Sequence, residues 1–290
     1  MILVAGPGGT ALPRSARELL NAASQLGAAA GIDIVYAALG AEAATAAQEA
    51  GAYGVKRAIA VEGDLAPYGA EGYLLNLERI SREVGATWIL LPGDLLGREL
   101  APRLAARLGG AALNDAIEVR REGERVVWTR PVFGGKALAD VVLNRTPGVI
   151  TLRPGAFAAA EPTGGSVAVE TMAATLPDER VKIVERKASE QRGPRLEEAR
   201  VVVSGGRGMG GPEPFKNELR QLAEIFGGAV GASLAAVDEG WASPEMQVGQ
   251  TGTMVSPDVY FAIGISGASQ HLAGISGAKA VVAINKDENA

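Results

Sequence analysis

The sequence contains no cysteine and a single histidine, His271. The absence of cysteine excludes a disulfide framework, thiolate chemistry and a zinc site built on cysteine ligands. One histidine also excludes a metal site with several histidine ligands, so no metal centre is predicted. No acid–base or nucleophile pair stands out, which disfavours an enzyme with a substrate of its own.

Long hydrophobic runs and an excess of positive charge are missing too. No apolar run approaches ~18 residues, so stable membrane insertion is not expected. The net charge of -5 gives no reason to expect nucleic acid or an anionic membrane as a partner. The first residues, MILVAGPGG, are typical of a strand start and not of a cleavable signal, which makes the cytoplasm the expected location.

The first half of the 290-residue chain alternates predicted strands with predicted helices. The strands are Ile2–Ala5, Asp33–Leu39, Arg57–Val61 and Trp88–Pro92, and the helices are Ser15–Ala30, Ala41–Ala50, Glu71–Val84 and Arg98–Leu108. This alternation predicts a parallel sheet covered on both faces. The short β-like runs in residues 118–152 either extend that sheet or form a separate β layer. Gly6, Gly8 and Gly9 match no phosphate-loop spacing, so no nucleotide site is predicted there.

A composition change over residues 156–200 marks a domain boundary. AAAEPTGGS is small and polar, and the alternating residues after it predict an edge strand that leads into a charged connector. Because RGPRLEEA combines Pro194 with a charge cluster, the boundary is predicted near Gly193. The domains are then residues 1–193 and 194–290.

The second domain begins with the predicted strand Arg200–Val203 and the glycine-rich turn SGGRGMGG. Glycines after a buried strand allow a ligand to approach the backbone closely. An amphipathic helix is predicted over Phe215–Phe226, and a short strand over Ala229–Ala232. The apolar stripe of that helix is assigned to the core: Leu219, Leu222, Ala223 and Phe226.

Near the end of the chain, a predicted strand Val259–Ile265 runs directly into SGASQH, which is typical of a strand-to-helix junction. A helix N-terminus offers unpaired backbone N–H groups to a phosphate. A second strand, Ala280–Ile284, ends in Asn285, Lys286 and Asp287. Since ligands of open parallel sheets bind at the carboxyl ends of strands, the residues alone predict a nucleotide pocket.

The stretches QVGQTG, PDVYFAIGISGASQH and AINKD, with SGGRG and GAS upstream, resemble the flavin domain of the electron transfer flavoprotein alpha subunit family. The first domain resembles the family in GRELAPRLAARLGG, VFGGKALADV and ITLRPGAF. The resemblance implies an α/β protein of two domains. The first would be an adenine-nucleotide-hydrolase-like parallel sheet domain without cofactor, and the second a doubly wound FAD-binding domain.

The resemblance also implies which residues contact FAD. They are Arg207, Ser233, Val248, Gly249, Gln250, Thr251, Ser266, Gly267, Ala268, Ser269, Gln270, His271 and Asn285. Residues 266–271 would wrap the pyrophosphate together with Arg207, while Gln250 and Thr251 would lie along the isoalloxazine. His271 would reach the pyrimidine edge of the flavin, and Asn285 the adenosine end, with residues 286 and 287 as supporting loop residues.

Purely structural interpretations stay open for several of these residues. From the residues alone, Arg207 is equally consistent with a surface arginine, and Ser233 with a serine that caps the next segment. A lone histidine in a helix is usually structural. Trp241 and Tyr260 are assigned to the core rather than to cofactor stacking.

Two departures from the family pattern carry expectations. Leu234 stands in GASLAAVD where the family usually has an arginine over the flavin, and the loss of that cation predicts a lower first reduction potential. Family members also continue beyond NKD, whereas this sequence ends at Ala290. The expectation is either a truncated form or a pocket that a partner chain completes.

The function implied by the resemblance is that of an electron carrier. FAD would accept electrons from flavin dehydrogenases such as acyl-CoA dehydrogenases and pass them to a membrane-bound quinone reductase or another acceptor. The chain would form a heterodimer with an electron transfer flavoprotein beta subunit. One alternative is the alpha subunit of an electron-bifurcating, NADH-oxidising flavoprotein. Another is a nucleotide-binding module without redox activity.

Overall fold

The computed structural model describes residues 1–28, 31–63, 65, 70–177 and 193–290. The chain divides into two compact units. The first comprises Met1–Pro131 with Leu138–Lys187, and the second comprises Val132–Ala137 with Ala188–Ala290. The charged connector predicted before Gly193 lies outside the described residues, and the boundary placed at Gly193 stays a prediction.

The elements up to residue 177 include ten strands and four α-helices in the described ranges. The strands are β1 (Ile2–Pro7), β2 (Ile34–Leu39), β3 (Arg57–Glu62), β4 (Trp88–Pro92), β5 (Ala111–Ala116), β6 (Glu118–Glu122), β7 (Arg125–Val132), β8 (Ala137–Val141), β9 (Gly148–Leu152) and β10 (Val169–Ala173). The helices are α1 (Arg14–Ala28), α2 (Ala43–Ala50), α3 (Ala70–Glu83) and α4 (Leu95–Leu108).

Seven of these strands form a parallel sheet in the order β10-β3-β2-β1-β4-β9-β5. The predicted parallel sheet is therefore confirmed, with β10 as its predicted edge strand. Both interpretations of residues 118–152 hold in part, because β9 extends this sheet while β6, β7 and β8 form a separate three-stranded sheet. Strand β5 was not predicted.

The seven-stranded sheet has a hydrophobic core on each face. Because side chains alternate between the two faces along a strand, one strand contributes to both cores. In β1, Ile2 and Val4 belong to a core cluster that includes α1 and α2. Leu3 and Ala5 belong to the opposite cluster, which includes α3 and α4. Successive side chains point to opposite faces, so each strand supplies both cores.

Helix α4 begins three residues earlier than predicted because Asp94 caps it. The carboxylate oxygen Oδ1 of Asp94 accepts a hydrogen bond from the backbone N–H of Gly97 at 2.8 Å. An N-terminal cap of this kind satisfies a backbone donor that has no partner within the helix. The helix ends at Gly109, whose φ of 69° suits a glycine.

The second unit contains a parallel four-stranded sheet in the order β12-β11-β13-β14. Its elements are β11 (Val201–Gly205), α5 (Glu213–Lys216), α6 (Glu218–Ile225), β12 (Ala229–Ala232), α7 (Leu234–Asp238), β13 (Val259–Ile263), α8 (Ser269–Gly274) and β14 (Ala280–Ile284). The chain passes from β11 to β12 on one side and returns to β13 on the other, so the order reverses between β11 and β13. Within the described chain β14 is an edge strand, and its residues are exposed.

Two predictions for the second unit were wrong in detail. The helix predicted over residues 215–226 is interrupted at Asn217, whose φ of -115° and ψ of -87° separate α5 from α6. Leu219 and Ala223 are buried as predicted, but Phe226 follows the end of α6, is 51% exposed and stacks on Phe261. The strand predicted over residues 259–265 ends at Ile263 because the next residue, a glycine, has a positive φ.

A buried ion pair joins β5 to the end of β9. The guanidinium of Arg153 donates two hydrogen bonds to the carboxylate of Asp115, at 2.9 and 2.6 Å. The Arg153 side chain is almost fully buried, and Asp115 has a φ of 68°, a value that asparagine also tolerates. We therefore expect Asp115→Asn to keep the backbone and remove the charge.

The expected result for Asp115→Asn is a loss of about 3 kcal/mol in the free energy of unfolding, because the buried guanidinium of Arg153 loses a charged partner to which it donates two hydrogen bonds. Urea denaturation measures this loss. The control is Asp140→Asn, which removes one of the two exposed carboxylate partners of Arg120 and should cost clearly less. Equal losses in the two variants would contradict the assignment of Arg153 as a buried structural cation.

Candidate functional site

The candidate site lies at the carboxyl ends of β11 and β13, where the strand order reverses. Gly205, the last residue of β11, pairs with Ile263, the last residue of β13. The loops that follow these two strands therefore begin side by side. In open parallel sheets this crevice is where ligands bind.

Glycine backbones bring the two loops into direct contact. The N–H of Gly206 donates to the carbonyl of Ile263 at 2.8 Å, and the N–H of Gly208 donates to the carbonyl of Gly264 at 3.0 Å. A Cβ on Gly208 would lie 2.7 Å from the Cα of Gly264, and one on Gly206 would overlap the Gly264 carbonyl oxygen. Gly264 itself has a φ of 63°. No larger residue fits at these three positions. The contact of Gly206, Gly208 and Gly264 is called the glycine crossing below.

The loop after β13 leaves a run of backbone donors open. Among the hydrogen bonds of the described residues, none is donated by the backbone N–H groups of residues 266–270, whereas His271 N–H donates to Ala268 at 2.9 Å. These five consecutive open donors include that of Gly267, a glycine of positive φ, and open backbone N–H groups in such a turn can bind an anion. Helix α8 is only six residues long, so most of these donors belong to the loop that precedes it.

Arg207 and Asn285 lie on the two loops that contact the start of this one, at Gly264 and Ile265. Arg207 is exposed, and no carboxylate in the described part of the chain forms an ion pair with it. The side-chain N–H of Asn285 donates to the carbonyl of Ile265 at 2.9 Å, and its Oδ1 accepts from the N–H of Asp287 at 3.1 Å. Asn285 thus ties the loop after β14 to the loop after β13.

Ser233 begins α7 and caps it. Its hydroxyl oxygen accepts a hydrogen bond from the N–H of Ala236 at 3.3 Å, and its own N–H donates to the carbonyl of Gly205 at 2.9 Å. The capping interpretation of Ser233 is therefore seen directly, while its O–H proton remains available to another acceptor. The next residue, Leu234, is 47% exposed.

The QVGQTG turn is anchored to α8 by its backbone. The N–H of Gln250 donates to the carbonyl of Gln270 at 2.8 Å, and a Cβ on Gly274 would lie 2.5 Å from the backbone of Gly249. The side chains of Gln250 and Thr251 are exposed, and the hydroxyl of Thr251 accepts a hydrogen bond from Gln247 at 2.9 Å. The turn is thereby held beside residues 266–271.

His271 is only 6% exposed and contacts Tyr260. The imidazole Nε2 lies 2.8 Å from the phenol oxygen, and the two rings meet edge to face with centroids 5.9 Å apart. Burial lowers the pKa of the imidazole, an effect that the backbone of Val248 opposes. Burial also raises the pKa of Tyr260. Both side chains are thus held in their neutral forms.

Comparison with known proteins identifies the family. The family model described as "Electron transfer flavoprotein domain" matches residues 3–177, and the one described as "Electron transfer flavoprotein FAD-binding domain" matches residues 195–276. The chain belongs to the electron transfer flavoprotein alpha subunit family. The resemblance inferred from the sequence motifs is confirmed, and with it the two-domain α/β fold.

Several electron transfer flavoprotein alpha subunits are similar over most of their length. The Bacillus subtilis protein is 38% identical over 260 residues, which is 89% of this chain and 80% of that protein. The Syntrophomonas wolfei protein is 40% identical over 246 residues, 84% and 77% of the two chains. The Mycobacterium leprae protein is 39% identical over 288 residues, 97% and 86% of the two chains.

Membership of this family indicates an electron carrier rather than a catalyst acting on a substrate of its own, and it implies a heterodimer with a beta subunit. Among the residues that the structure describes, no helix combines the length and apolar character needed to cross a membrane. The described residues also contain no group of three or more acidic or histidine side chains that could bind a metal ion.

The structure places all thirteen residues proposed from the sequence on the loops and first turns at this edge of the sheet. Their main chains are brought together by the hydrogen bonds described above. The contact that sequence reasoning missed is the one between Tyr260 and His271. One signal was present: Tyr260 lies on β13 and His271 one turn into the helix that follows, and a strand-to-helix unit of this kind packs such residues together.

The glycine crossing makes a matched pair of substitutions possible. Gly206→Ala places a methyl group on the Gly264 carbonyl oxygen, whereas a Cβ on Gly211, in the same loop, meets nothing within 4 Å. We expect Gly206→Ala to lower the free energy of unfolding by about 2 kcal/mol, as overpacking does, and Gly211→Ala to change it by less than about 0.5 kcal/mol. Thermal or urea unfolding that fails to separate the two variants would contradict the loop contact.

Proposed function

We propose that this chain binds FAD at the edge formed by β11 and β13 and acts, with a beta subunit, as an electron carrier. The observation that supports the proposal most directly is the run of open backbone donors at residues 266–270. Their loop starts at the glycine crossing, and the facing loop carries Arg207, which forms no ion pair within the described residues. A pyrophosphate needs both N–H donors and positive charge. The residues present fit that group.

In this proposal the chain's own residues hold and tune the cofactor. The open N–H groups and Arg207 bind the pyrophosphate, and Asn285 orients the adenosine end through the loop that it braces. The exposed side chains of Gln250 and Thr251 lie along the flavin ring, with the Ser233 hydroxyl as a further donor. FAD, when bound, supplies the capacity to accept and release electrons singly or in pairs.

The proposed electron donors are flavin dehydrogenases such as acyl-CoA dehydrogenases, and the proposed acceptor is a quinone reductase. An electron carrier has to expose one edge of its cofactor, because electron transfer between proteins requires the two redox centres to come close. The exposed loops at residues 207, 250–251 and 266–270 are consistent with that requirement. We further propose that the heterodimer works in the cytoplasm.

The test is a visible absorption spectrum of the heterodimer, purified with its beta partner, followed by reductive titration. We expect oxidised-flavin bands that bleach on reduction. We also expect about one FAD to be released per heterodimer. No flavin band even after incubation with FAD would overturn the proposal in favour of a nucleotide-binding module without redox activity. Direct reduction by NADH would instead identify the bifurcating type.

Arg207→Ala should weaken FAD binding about tenfold or more, since a charge-assisted hydrogen bond contributes about 1.5–3 kcal/mol. The control is Arg200→Ala, which removes an equal charge at the amino end of β11, where Arg200 pairs with Asp258. Isothermal titration of FAD into the flavin-stripped protein measures both. A similar loss in the two variants would show a general charge effect and not a pyrophosphate contact.

Leu234 carries a prediction about the reduction potential. It follows Ser233 at the start of α7, is half exposed, and offers no charge to a nearby flavin. Leu234→Arg should raise the first reduction potential, because a cation favours the added negative charge. Leu234→Gln, similar in length but uncharged, is the control. A redox titration with identical potentials for the Arg variant and the unsubstituted protein would refute the prediction.

A further inference from the structure

The buried pair of Tyr260 and His271 constrains where its protons lie. Tyr260 is fully buried, and burial raises the pKa of its phenol, so the O–H stays protonated. A buried O–H without an acceptor is costly. The one hydrogen bond that the phenol makes among the described residues is with Nε2 of His271, at 2.8 Å.

Ser204 does not offer a better acceptor. Its hydroxyl is buried beside the phenol and opposes the rise in the pKa of Tyr260, as a donor to the phenol oxygen would. Within the described chain it completes no hydrogen bond of ordinary geometry. The phenol proton is therefore best placed on the line to Nε2, and a neutral imidazole that accepts at Nε2 carries its own proton on Nδ1.

The Nδ1 atom is buried and has no hydrogen-bond partner in the described part of the chain. His271 packs against the QVGQTG turn, where a Cβ on Gly249 would lie 3.7 Å from its Cα. The backbone of Val248 raises the pKa of the imidazole, but among the described residues it completes no hydrogen bond of ordinary geometry with Nδ1. An open buried donor at this position is an unexplained polar group that a ligand could satisfy.

We propose that Tyr260 is a positioning residue for His271: its O–H donates to Nε2 and holds the imidazole as the neutral Nδ1–H tautomer, which offers Nδ1–H to an acceptor atom of the bound cofactor. The second half of this statement rests on the proposed FAD site. The first half concerns the chain alone. Tyr260 acts through His271 and does not itself touch the cofactor.

The tautomer can be measured directly because His271 is the only histidine in the chain. The full chain is labelled with 15N-histidine, and the two ring nitrogens are observed by NMR at neutral pH, where protonated and unprotonated nitrogens resonate far apart. We expect a protonated Nδ1 and an unprotonated Nε2. A protonated Nε2, whether in the other tautomer or in a charged imidazolium, overturns the proposal even if no variant folds.

Tyr260→Phe keeps the ring and removes the donor, so the spectrum should move toward the Nε2–H tautomer that free histidine prefers. The matched control is Tyr36→Phe, since Tyr36 is equally buried but its hydroxyl has no hydrogen-bond partner among the residues that the structure describes. It should leave the histidine spectrum unchanged. An unchanged spectrum in Tyr260→Phe overturns the positioning role.

The cofactor half is tested in the heterodimer loaded with FAD. Tyr260→Phe should weaken FAD binding about two- to tenfold, the effect of one neutral hydrogen bond, and should shift the flavin reduction potential, while Tyr36→Phe changes neither. Unaltered affinity and potential in Tyr260→Phe overturn this half. Failure of the unsubstituted protein to bind FAD refutes the proposed function, while the NMR result still decides the tautomer.

Discussion

Backbone-to-backbone contact between the loops after β11 and β13 is the constraint on which the site depends. The contact requires glycine at 206, 208 and 264, because a Cβ at any of them would meet the facing main chain. It joins the loop that carries Arg207 to the start of the loop that carries the open N–H groups of residues 266–270. Charge and donors thus come from two chain segments about sixty residues apart, and their spacing is fixed by main-chain atoms rather than by adjustable side chains.

A second constraint is the packing of the QVGQTG turn against α8. Gly249 packs on Gly274, and the N–H of Gln250 donates to the carbonyl of Gln270, so the QVGQTG turn and α8 behave as one piece. The same piece carries His271 inward to Tyr260. The surface presented to a ligand is therefore built from loops, but each loop is attached to the sheet or to a helix by close glycine packing.

Much of the fold could be predicted from local pattern, and the misses have local or long-range causes. Strands such as Ala229–Ala232 and Ala280–Ile284 agree with the structure because they are short apolar runs between turn residues. Strand β5 was missed because Asn114 and Asp115 have low strand propensity. The strand forms nevertheless because it pairs with β9 in the sheet. The interruption at Asn217 has no counterpart in the apolar pattern, which runs through it.

For the site, motif resemblance proposed the residues but not the state of their atoms. It could not tell that Ser233 uses its oxygen to cap α7, or that Nε2 of His271 is already engaged. Such facts depend on which groups folding brings within 3 Å of each other, and a sequence motif does not encode distances.

The exposed edge of β14 has a practical consequence. Val281, Val282 and Ile284 are each at least 40% exposed on a strand that, within the described chain, pairs on one side only. An apolar strand with an open edge can add strands from other molecules. Within the described chain this edge is the expected point of self-association, and a lysine on its outward face would oppose such pairing.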